Sequence, residues 1–292
     1  MKHAYLIMAH GSWRVLEKQL RLLDSGFNDF YIHIDKKAQD VPDIGSWLSK
    51  SGVWYTEPMD VKWADYSMVE CLLRLIKAAV GRGGYSYFHV ISGADMPLKP
   101  AEEIYRFFES SGKNFVGFDK GHRVLKSAKY YHPAVEWSCY RRHKLLKGID
   151  RGFEYVQAAV GINRLRREEW EIKHGWNWVS MRPELAQAVL DNEEKLQRIF
   201  HKTIAPDEMT VQTVAFNCGF MDELYDLDVQ KGGMRRVDWQ RGTPYVWGSE
   251  PGKTESDFDE LMSCSYMFAR KFDEAHMEIV EKIYNELSSR GK

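Results

Sequence analysis

The sequence lacks a long apolar run, and it has no excess of charge of one sign. No stretch reaches the roughly 18 consecutive apolar residues that a membrane-spanning helix needs, and the opening residues 1–8 turn polar too soon for a signal peptide. We therefore expect a cytosolic protein. The 41 Lys and Arg nearly balance the 42 Asp and Glu, so nothing in the charge indicates a nucleic-acid partner.

Cysteines are few and scattered. Cys71, Cys139, Cys218 and Cys264 lie tens of residues apart, and no C-x-x-C or zinc-type histidine pair occurs. Disulfides and structural zinc are therefore not expected, and we interpret the four residues as buried small hydrophobes.

Several common catalytic and phosphate-binding motifs are also missing. There is no G-x-G-x-x-G, no P-loop and no G-x-S-x-G, which argues against simple dinucleotide, P-loop and acyl-transfer chemistry. Two D-x-D strings occur, at 226–228 and 257–259, but neither follows a strand-like run in the first half. We interpret them as solvated acids and expect no metal cofactor, so a bound sugar nucleotide would need Arg or Lys for its phosphates.

The sequence does contain enough apolar residues for a full core, at 44% of 292 residues. Strand-like runs at 4–9, 30–34 and 85–91 alternate with helical patterns, one of them opened by a capping box at 67–70. This alternation predicts an α/β fold with a mostly parallel sheet flanked by helices, whose ligand site lies at the C-terminal edge of the strands.

The second half is patterned differently. Residues 120–173 are rich in Arg, Lys, His and Tyr, and we interpret them as an insertion with a helix at 153–167. A strand is expected at 176–179, helices at 183–190 and 207–214, and a final helix from Asp273. The charged run Arg141-Arg142-His143-Lys144 is interpreted as solvent-exposed. No repeat or linker divides the chain, so we predict one domain over 1–292, with a nucleotide-binding half at 1–120 and an acceptor-binding and catalytic half at 121–292.

Five short motifs then occur in order along nearly the whole chain: Tyr31-Ile32-His33-Ile34-Asp35-Lys36-Lys37, Trp63-Ala64-Asp65-Tyr66-Ser67, Ile91-Ser92-Gly93-Ala94-Asp95-Met96-Pro97-Leu98-Lys99, Ala205-Pro206-Asp207-Glu208-Met209 and Met267-Phe268-Ala269-Arg270-Lys271-Phe272-Asp273. The set resembles the core-2/I-branching β-1,6-N-acetylglucosaminyltransferase family, which includes the peptide O-xylosyltransferases. The resemblance implies a GT-A-like fold, a UDP-sugar donor, an inverting mechanism and no metal requirement.

The same resemblance implies roles for individual residues. Glu208 would be the catalytic general base, Asp35 would lie by the uridine, and Lys271 with its neighbour Arg270 would face the diphosphate. A further basic residue that animal members use upstream of this lysine has no clear match, since the chain there reads Asp257-Phe258-Asp259-Glu260-Leu261.

Other candidates follow from their positions. His10 and Asp95 come at strand ends, so we add them to the donor-binding set, although either can instead be structural, as Asp35 can. Trp239, Tyr245 and Trp247 are candidate surfaces for stacking an acceptor sugar, with core packing as the alternative.

The resulting hypothesis is an inverting glycosyltransferase that moves N-acetylglucosamine or xylose from UDP to a hydroxyl of a glycan or glycolipid. It would be a bacterial-type cytoplasmic enzyme with at most peripheral membrane contact. Two alternatives stay open, namely another nucleotide-dependent transferase such as a sulfotransferase, and a non-catalytic carbohydrate- or nucleotide-binding protein of the same fold.

Overall fold

A five-stranded sheet forms the centre of the protein. The computed structural model describes residues 1–120, 125–126, 128–137, 140 and 143–290. The sheet strands are β1 (Lys2–Ala9), β2 (Asn28–Ile34), β3 (Gly52–Tyr55), β4 (Tyr85–Ser92) and β6 (Ser180–Met181), in the order β3-β2-β1-β4-β6. β1 to β4 are mutually parallel, and β6 runs antiparallel to β4. The predicted fold class, a mostly parallel sheet flanked by helices, is confirmed.

Helices cover both faces of this sheet because alternate strand residues point to opposite sides. Ala4 and Leu6 of β1 pack in one cluster with α2 (Ser67–Arg82), α5 (Pro183–Asp191) and α7 (Asp207–Asn217). Tyr5 and Ile7 pack on the other side with α1 (Trp13–Leu23) and α3 (Ala101–Ser111). Because both faces are covered, β1, β2 and β4 are buried almost throughout, including polar residues such as His3, Asn28 and His89.

A second sheet of three short strands lies beyond the C-terminal end of β4. It consists of β5 (Asp95–Pro97), β7 (Arg235–Val237) and β8 (Phe268–Arg270), in the order β5-β8-β7. A third apolar cluster joins this sheet to α1, α9 (Thr254–Ser263) and α10 (Met277–Arg290).

The remaining helices complete the periphery. They are α4 (Lys144–Ala159), α6 (Glu193–Phe200) and α8 (Val229–Gly233), with 3-10 turns at Ile44–Trp47, Pro133–Glu136, Met221–Glu223 and Glu274–His276. In the described part of the chain, no helix is both long enough and apolar enough to span a bilayer.

Two predicted elements in the second half are displaced. The strand expected at 176–179 is found at 180–181, because only Ser180 and Met181 pair with β4 before Pro183 starts a helix. The helix expected at 153–167 is α4, which ends at Ala159 because Gly161 follows in the left-handed region with φ 74°.

Two predicted helix starts are also wrong in detail. Ser67 does not cap α2: it is the first helical residue, and its Oγ accepts a hydrogen bond from Lys62 N at 2.8 Å. The last helix begins at Met277, since Asp273 caps the 3-10 turn before it by accepting from Ala275 N.

The cysteine and charge-run predictions are correct only in part. Cys71 is buried as expected, but Cys218 is exposed and Cys264 is half-buried. Lys144 is exposed as the charge-run interpretation expects. Cys139, Arg141 and Arg142 lie outside the described residues.

Candidate active site

The C-terminal ends of three parallel strands meet at one edge of the sheet. Asp35 N donates to Ala9 O at 2.9 Å, and Gly93 N donates to Met8 O at 3.2 Å. The loops that carry His10, Asp35 and Asp95 therefore leave the sheet side by side, at the edge where parallel α/β folds bind ligands. Gly93 also approaches the neighbouring loop closely, since a Cβ built on it would lie 3.4 Å from Gly11 O.

Asp95 and Arg270 form a buried ion pair at this edge. The antiparallel register of β5 and β8 sets them opposite each other, and Arg270 Nη1 donates to Asp95 Oδ1 at 2.8 Å. Asp95 Oδ2 accepts from Ser92 N at 2.6 Å, and Arg270 also bonds the Ser92 hydroxyl. With only 2% of its surface exposed, Asp95 is held by Arg270 and Ser92, and its proposed donor contact stays a prediction.

Lys271 follows Arg270 at the same edge. Its carbonyl accepts from Trp247 N at 3.0 Å, and the next amide, Phe272 N, donates to Ala94 O at 2.9 Å. Arg14 N, in the first turn of α1, donates to Glu274 Oε1 at 2.9 Å. The segment with Lys271 is thus held against the turn after β4 and the start of α1, where the other predicted donor residues lie.

Asp35 and His10 complete the predicted donor set. Asp35 is mostly buried and accepts from Lys37 N at 2.8 Å and from Val61 N at 3.2 Å, while the Lys37 ammonium bridges it to Asp60. His10 is exposed directly after β1. Asp35 therefore organises its loop, and the proposed donor contacts of both residues stay predictions.

Glu208 opens onto a cleft of about 550 Å³. It is the second residue of α7, as the sequence predicts, and about a third of its side chain is exposed. The cleft is lined by acids, one arginine, aromatic rings and small polar groups: Asp119, His174, Trp176, Glu208, Val229, Gln230, Arg236, Val237, Asp238, Trp239 and Gln240.

His174 holds the Glu208 carboxylate. Its Nε2 lies 3.1 Å from Glu208 Oε2, and the ring is 7% exposed. An ionised carboxylate can only accept, so when Glu208 is ionised Nε2 is the donor of this bond. The backbone reinforces the contact, because Gly175 N donates to Glu208 O at 2.9 Å.

Asp207 points the other way, into the protein. It is 4% exposed and accepts from Asn177 Nδ2 at 2.7 Å. Burial raises the pKa of Asp207 to about 7, and the adjacent Glu208 charge acts in the same direction. Of these two acids, Glu208 is the one that faces the cleft.

The three candidate stacking aromatics separate into two groups. Trp239 is 43% exposed and lines the cleft, 6.2 Å from Trp176. Trp247 is completely buried, with its indole N–H donating to Arg270 O at 2.9 Å. Tyr245 is also buried, and its hydroxyl donates to Asp257 at 2.9 Å. Acceptor stacking was therefore the wrong expectation for Tyr245 and Trp247, since the third apolar cluster covers both rings.

The D-x-D strings have structural roles. Asp257 is buried, contrary to the solvated interpretation, and pairs with Arg241 Nη1 at 2.7 Å. Asp228 caps α8 by accepting from Gln230 N and Lys231 N. Within the described ranges, no three His, Cys, Asp or Glu side chains are grouped so that they could hold a metal ion.

An aromatic row joins the cleft to the cationic edge. Trp176 lines the cleft and lies 5.9 Å from Trp178 between ring centroids. The Arg270 guanidinium packs over Trp178 at 4.5 Å. Glu208 and Arg270 thus belong to neighbouring parts of one surface.

Sequence reasoning missed Asp119, His174 and Arg236. Asp119 follows the apolar run 115–118 and bridges to His174, so the signal used for Asp35, a polar residue after a strand-like run, would have found it. His174 carries no such signal, because it follows a polar segment and meets Glu208 only through the tertiary fold.

Over residues 3–261 the chain matches the Core-2/I-Branching enzyme family, and it belongs to that family. Its relatives include named glycosyltransferases. Xylosyltransferase sqv-6 of Caenorhabditis briggsae is 23% identical over 326 residues, which cover all of this chain and 37% of the relative. The human β-1,3-galactosyl-O-glycosyl-glycoprotein β-1,6-N-acetylglucosaminyltransferase is 24% identical over 92% of this chain and 65% of its own length.

The chain therefore spans little more than a third of the nematode protein. Among solved structures, the apo form of mouse xyloside xylosyltransferase 1 aligns over 91% of this chain and 97% of its own, with TM-score 0.41 and 11% identity.

Proposed function

We propose that this chain is an inverting glycosyltransferase that moves a sugar from UDP to a hydroxyl of a glycan or glycolipid acceptor. The observation that carries the proposal is the cleft in which the Glu208 carboxylate, held by His174, and the exposed ring of Trp239 both belong to the lining. Family membership supports sugar transfer as the chemistry.

In the proposed reaction Glu208 is the general base. As the acceptor oxygen bonds to the anomeric carbon, the bond from that carbon to the UDP oxygen breaks, and the acceptor proton passes to Glu208. The oxygen Oε2 is engaged by His174, so we assign the proton to Oε1. A base in this position contributes about 10² to 10⁴ in rate.

The second requirement is to stabilise the negative charge on the departing UDP. Lys271 is the proposed counter-charge at the edge, and Arg270, which is paired with Asp95, lies beside it in the chain. No metal is part of this proposal, since Lys271 and its neighbour supply cations where metal-dependent enzymes use a divalent ion.

We further propose that the protein is a bacterial-type cytoplasmic enzyme, with at most peripheral contact with a membrane. Free thiols at Cys71, Cys218 and Cys264 support a reducing compartment.

The test is a comparison of binding and turnover. Titration calorimetry with UDP, followed by UDP-release assays with UDP-N-acetylglucosamine and UDP-xylose, should give binding and acceptor-dependent release, unchanged by EDTA. Binding without release with any donor would favour the non-catalytic alternative. Absence of UDP binding would favour a different transferase, and loss of activity in EDTA that manganese restores would refute metal independence.

A further inference from the structure

The described residues that line the Glu208 cleft include one Lys or Arg, which is Arg236. It lies in β7, and 24% of its side chain is exposed. A guanidinium is well suited to bind an anionic sugar, because its planar set of N–H groups can donate two parallel hydrogen bonds to a carboxylate, sulfate or phosphate. Whether the cleft can accept an anionic ligand therefore depends on what Arg236 already contacts.

Glu260 of α9 occupies this guanidinium. Its Oε1 accepts from Arg236 Nε at 3.1 Å and from Arg236 Nη2 at 2.5 Å. The remaining nitrogen, Nη1, donates to Gln230 Oε1 at 3.2 Å. All three nitrogens of the Arg236 guanidinium are therefore engaged, and the carboxylate that balances its charge belongs to a residue outside the lining of the cleft.

A second arginine, Arg241, depends much less on Glu260. It donates from Nε to Asp238 Oδ2 at 2.6 Å and from Nη1 to Asp257 Oδ1 at 2.7 Å. Its Nη2 also donates to Glu260 Oε2 at 3.2 Å. Without Glu260, Arg241 would keep two carboxylate partners, whereas Arg236 would keep none among the residues that the structure describes. The contacts of Glu260 thus decide whether Arg236 is free to bind a ligand.

Two carboxylates of the cleft have no Lys or Arg partner in the described part of the chain. Glu208 is held by His174, and Asp119, which is exposed, accepts from the amide of the next residue, Lys120 N, at 2.6 Å. An anionic sugar would meet these like charges, which oppose binding. The hydroxyl groups of an uncharged sugar can instead donate hydrogen bonds to both carboxylates.

We propose that the Glu260–Arg236 pair makes the cleft select uncharged acceptor sugars over anionic ones, with Glu260 as the specificity-determining residue. This inference rests on the proposed function, because it takes the Glu208 cleft as the acceptor site, and it adds the charge class of the acceptor. Removal of the Glu260 carboxylate releases Arg236, so that a sulfate or carboxylate group of a sugar can take its place on the guanidinium.

The experiment uses an array of neutral glycans, each paired with its sulfated or uronic-acid counterpart, and measures binding of the full chain and UDP release separately. We expect the neutral member of a pair to bind about tenfold or more tightly than the anionic one. Equal or tighter binding of the anionic members, or no binding to any neutral member, would overturn the proposal. Selective binding without UDP release would support charge selection while refuting the proposed transfer.

Variants of Glu260 test the assignment directly. Glu260→Ala should raise binding of the anionic members relative to their neutral counterparts by about tenfold. Glu260→Gln, which keeps an acceptor for Arg236 but removes the opposing charge, should give a smaller gain in the same direction. The matched control is Asp259→Ala, an equal change of charge at the preceding, exposed position of α9, which should keep the parent ratio.

A double variant tests whether the gain depends on Arg236. Glu260→Ala/Arg236→Gln should lose the gain, because the guanidinium that takes the anionic group is gone. An unchanged ratio in both Glu260→Ala and Glu260→Gln would overturn the proposal. So would a gain that persists in the double variant, because the anionic group would then bind elsewhere.

Discussion

The guanidinium of Arg270 lies 2.8 Å from the buried carboxylate of Asp95, although the two residues are 175 positions apart in the chain. Both were predicted to contact the donor; in the structure they pair with each other, and their donor contacts stay predictions. Their pairing fixes the backbone on which Lys271 is carried, so the two neighbouring cations have different tasks. Arg270 builds the edge, and Lys271 is the residue we expect to meet the diphosphate.

Lys271→Ala should lower turnover by about 10² to 10³, the cost of removing a preorganised charge from developing phosphate charge, and it should weaken UDP binding. By contrast, Arg270→Ala leaves Asp95 buried without its partner, which costs about 3 to 5 kcal/mol of stability. The control is Lys253→Ala, which removes an exposed lysine elsewhere. Wild-type kinetics in Lys271→Ala would show that Lys271 has no part in the mechanism.

Glu208→Gln should reduce transfer by about 10² to 10⁴ while the melting temperature and UDP affinity stay close to wild type. The matched control is Glu194→Gln, since Glu194 is likewise the second residue of its helix but is exposed. A helix-dipole effect alone would alter stability by about 0.3 to 1 kcal/mol in both variants. Transfer above a tenth of wild type in Glu208→Gln would contradict its role as the base.

His174 is proposed as a positioning residue that acts through Glu208. His174→Ala should lower kcat by roughly tenfold, an effect of about 1.4 kcal/mol in keeping with one lost hydrogen bond, with the donor KM unchanged. His174→Gln can donate from its side-chain amide and should recover part of the rate. If alanine and glutamine variants are equally impaired, the hydrogen bond to Glu208 is not what matters.

The two tryptophans should separate stability from acceptor binding. Trp247→Ala empties a buried site and should cost about 3 to 5 kcal/mol in the free energy of unfolding. Trp239→Ala should leave the melting temperature almost unchanged and raise the acceptor KM, because its exposed face is the proposed stacking surface. Equal acceptor KM values for Trp239→Ala and wild type would exclude that surface.

Asp207 makes stability depend on pH in a defined direction. The folded protein keeps a proton on Asp207 up to about pH 7, whereas an unfolded aspartate releases it near pH 4. Between those values the unfolded state binds fewer protons, so this group makes the free energy of unfolding fall as pH rises, by up to about 1.4 kcal/mol per unit. Asp207→Asn should abolish this contribution. In urea unfolding, its free energy of unfolding should therefore rise relative to that of wild type as the pH increases from 5 to 8, and Glu194→Gln is the control. Parallel pH profiles for Asp207→Asn and wild type would contradict the assignment.

The long elements were predictable from the sequence because their patterns are local. The strands at 4–9, 30–34 and 85–91 each lie within an observed strand, since apolar runs between turn residues suffice to define parallel strands. The sequence also placed Glu208 correctly in the first turn of its helix, because Pro206 precedes the helix and two acidic residues begin it.

The second sheet was not predictable in this way. Its strands have three residues each, too few for a period of two to be visible, and their pairing depends on contacts between distant segments. The burial of Trp247 and Tyr245 follows from that sheet and from Asp257, so composition alone could not distinguish these rings from Trp239. Helix α4 has a clear helical pattern, but the pattern does not say that Asp150 and Gln157 face inward.

The position of β8 also bears on the order in which the protein assembles during synthesis. β8 is the central strand of the three-stranded sheet, yet it comes from residues 268–270, after every strand of the five-stranded sheet has been made. A nascent chain can therefore build the scaffold, and even α7 with Glu208, while Asp95 still lacks its cation. Ribosome-bound chains that stop before Phe268 would carry Glu208 without Arg270 and Lys271, so under the proposed mechanism the site would be complete only once the final strand is made.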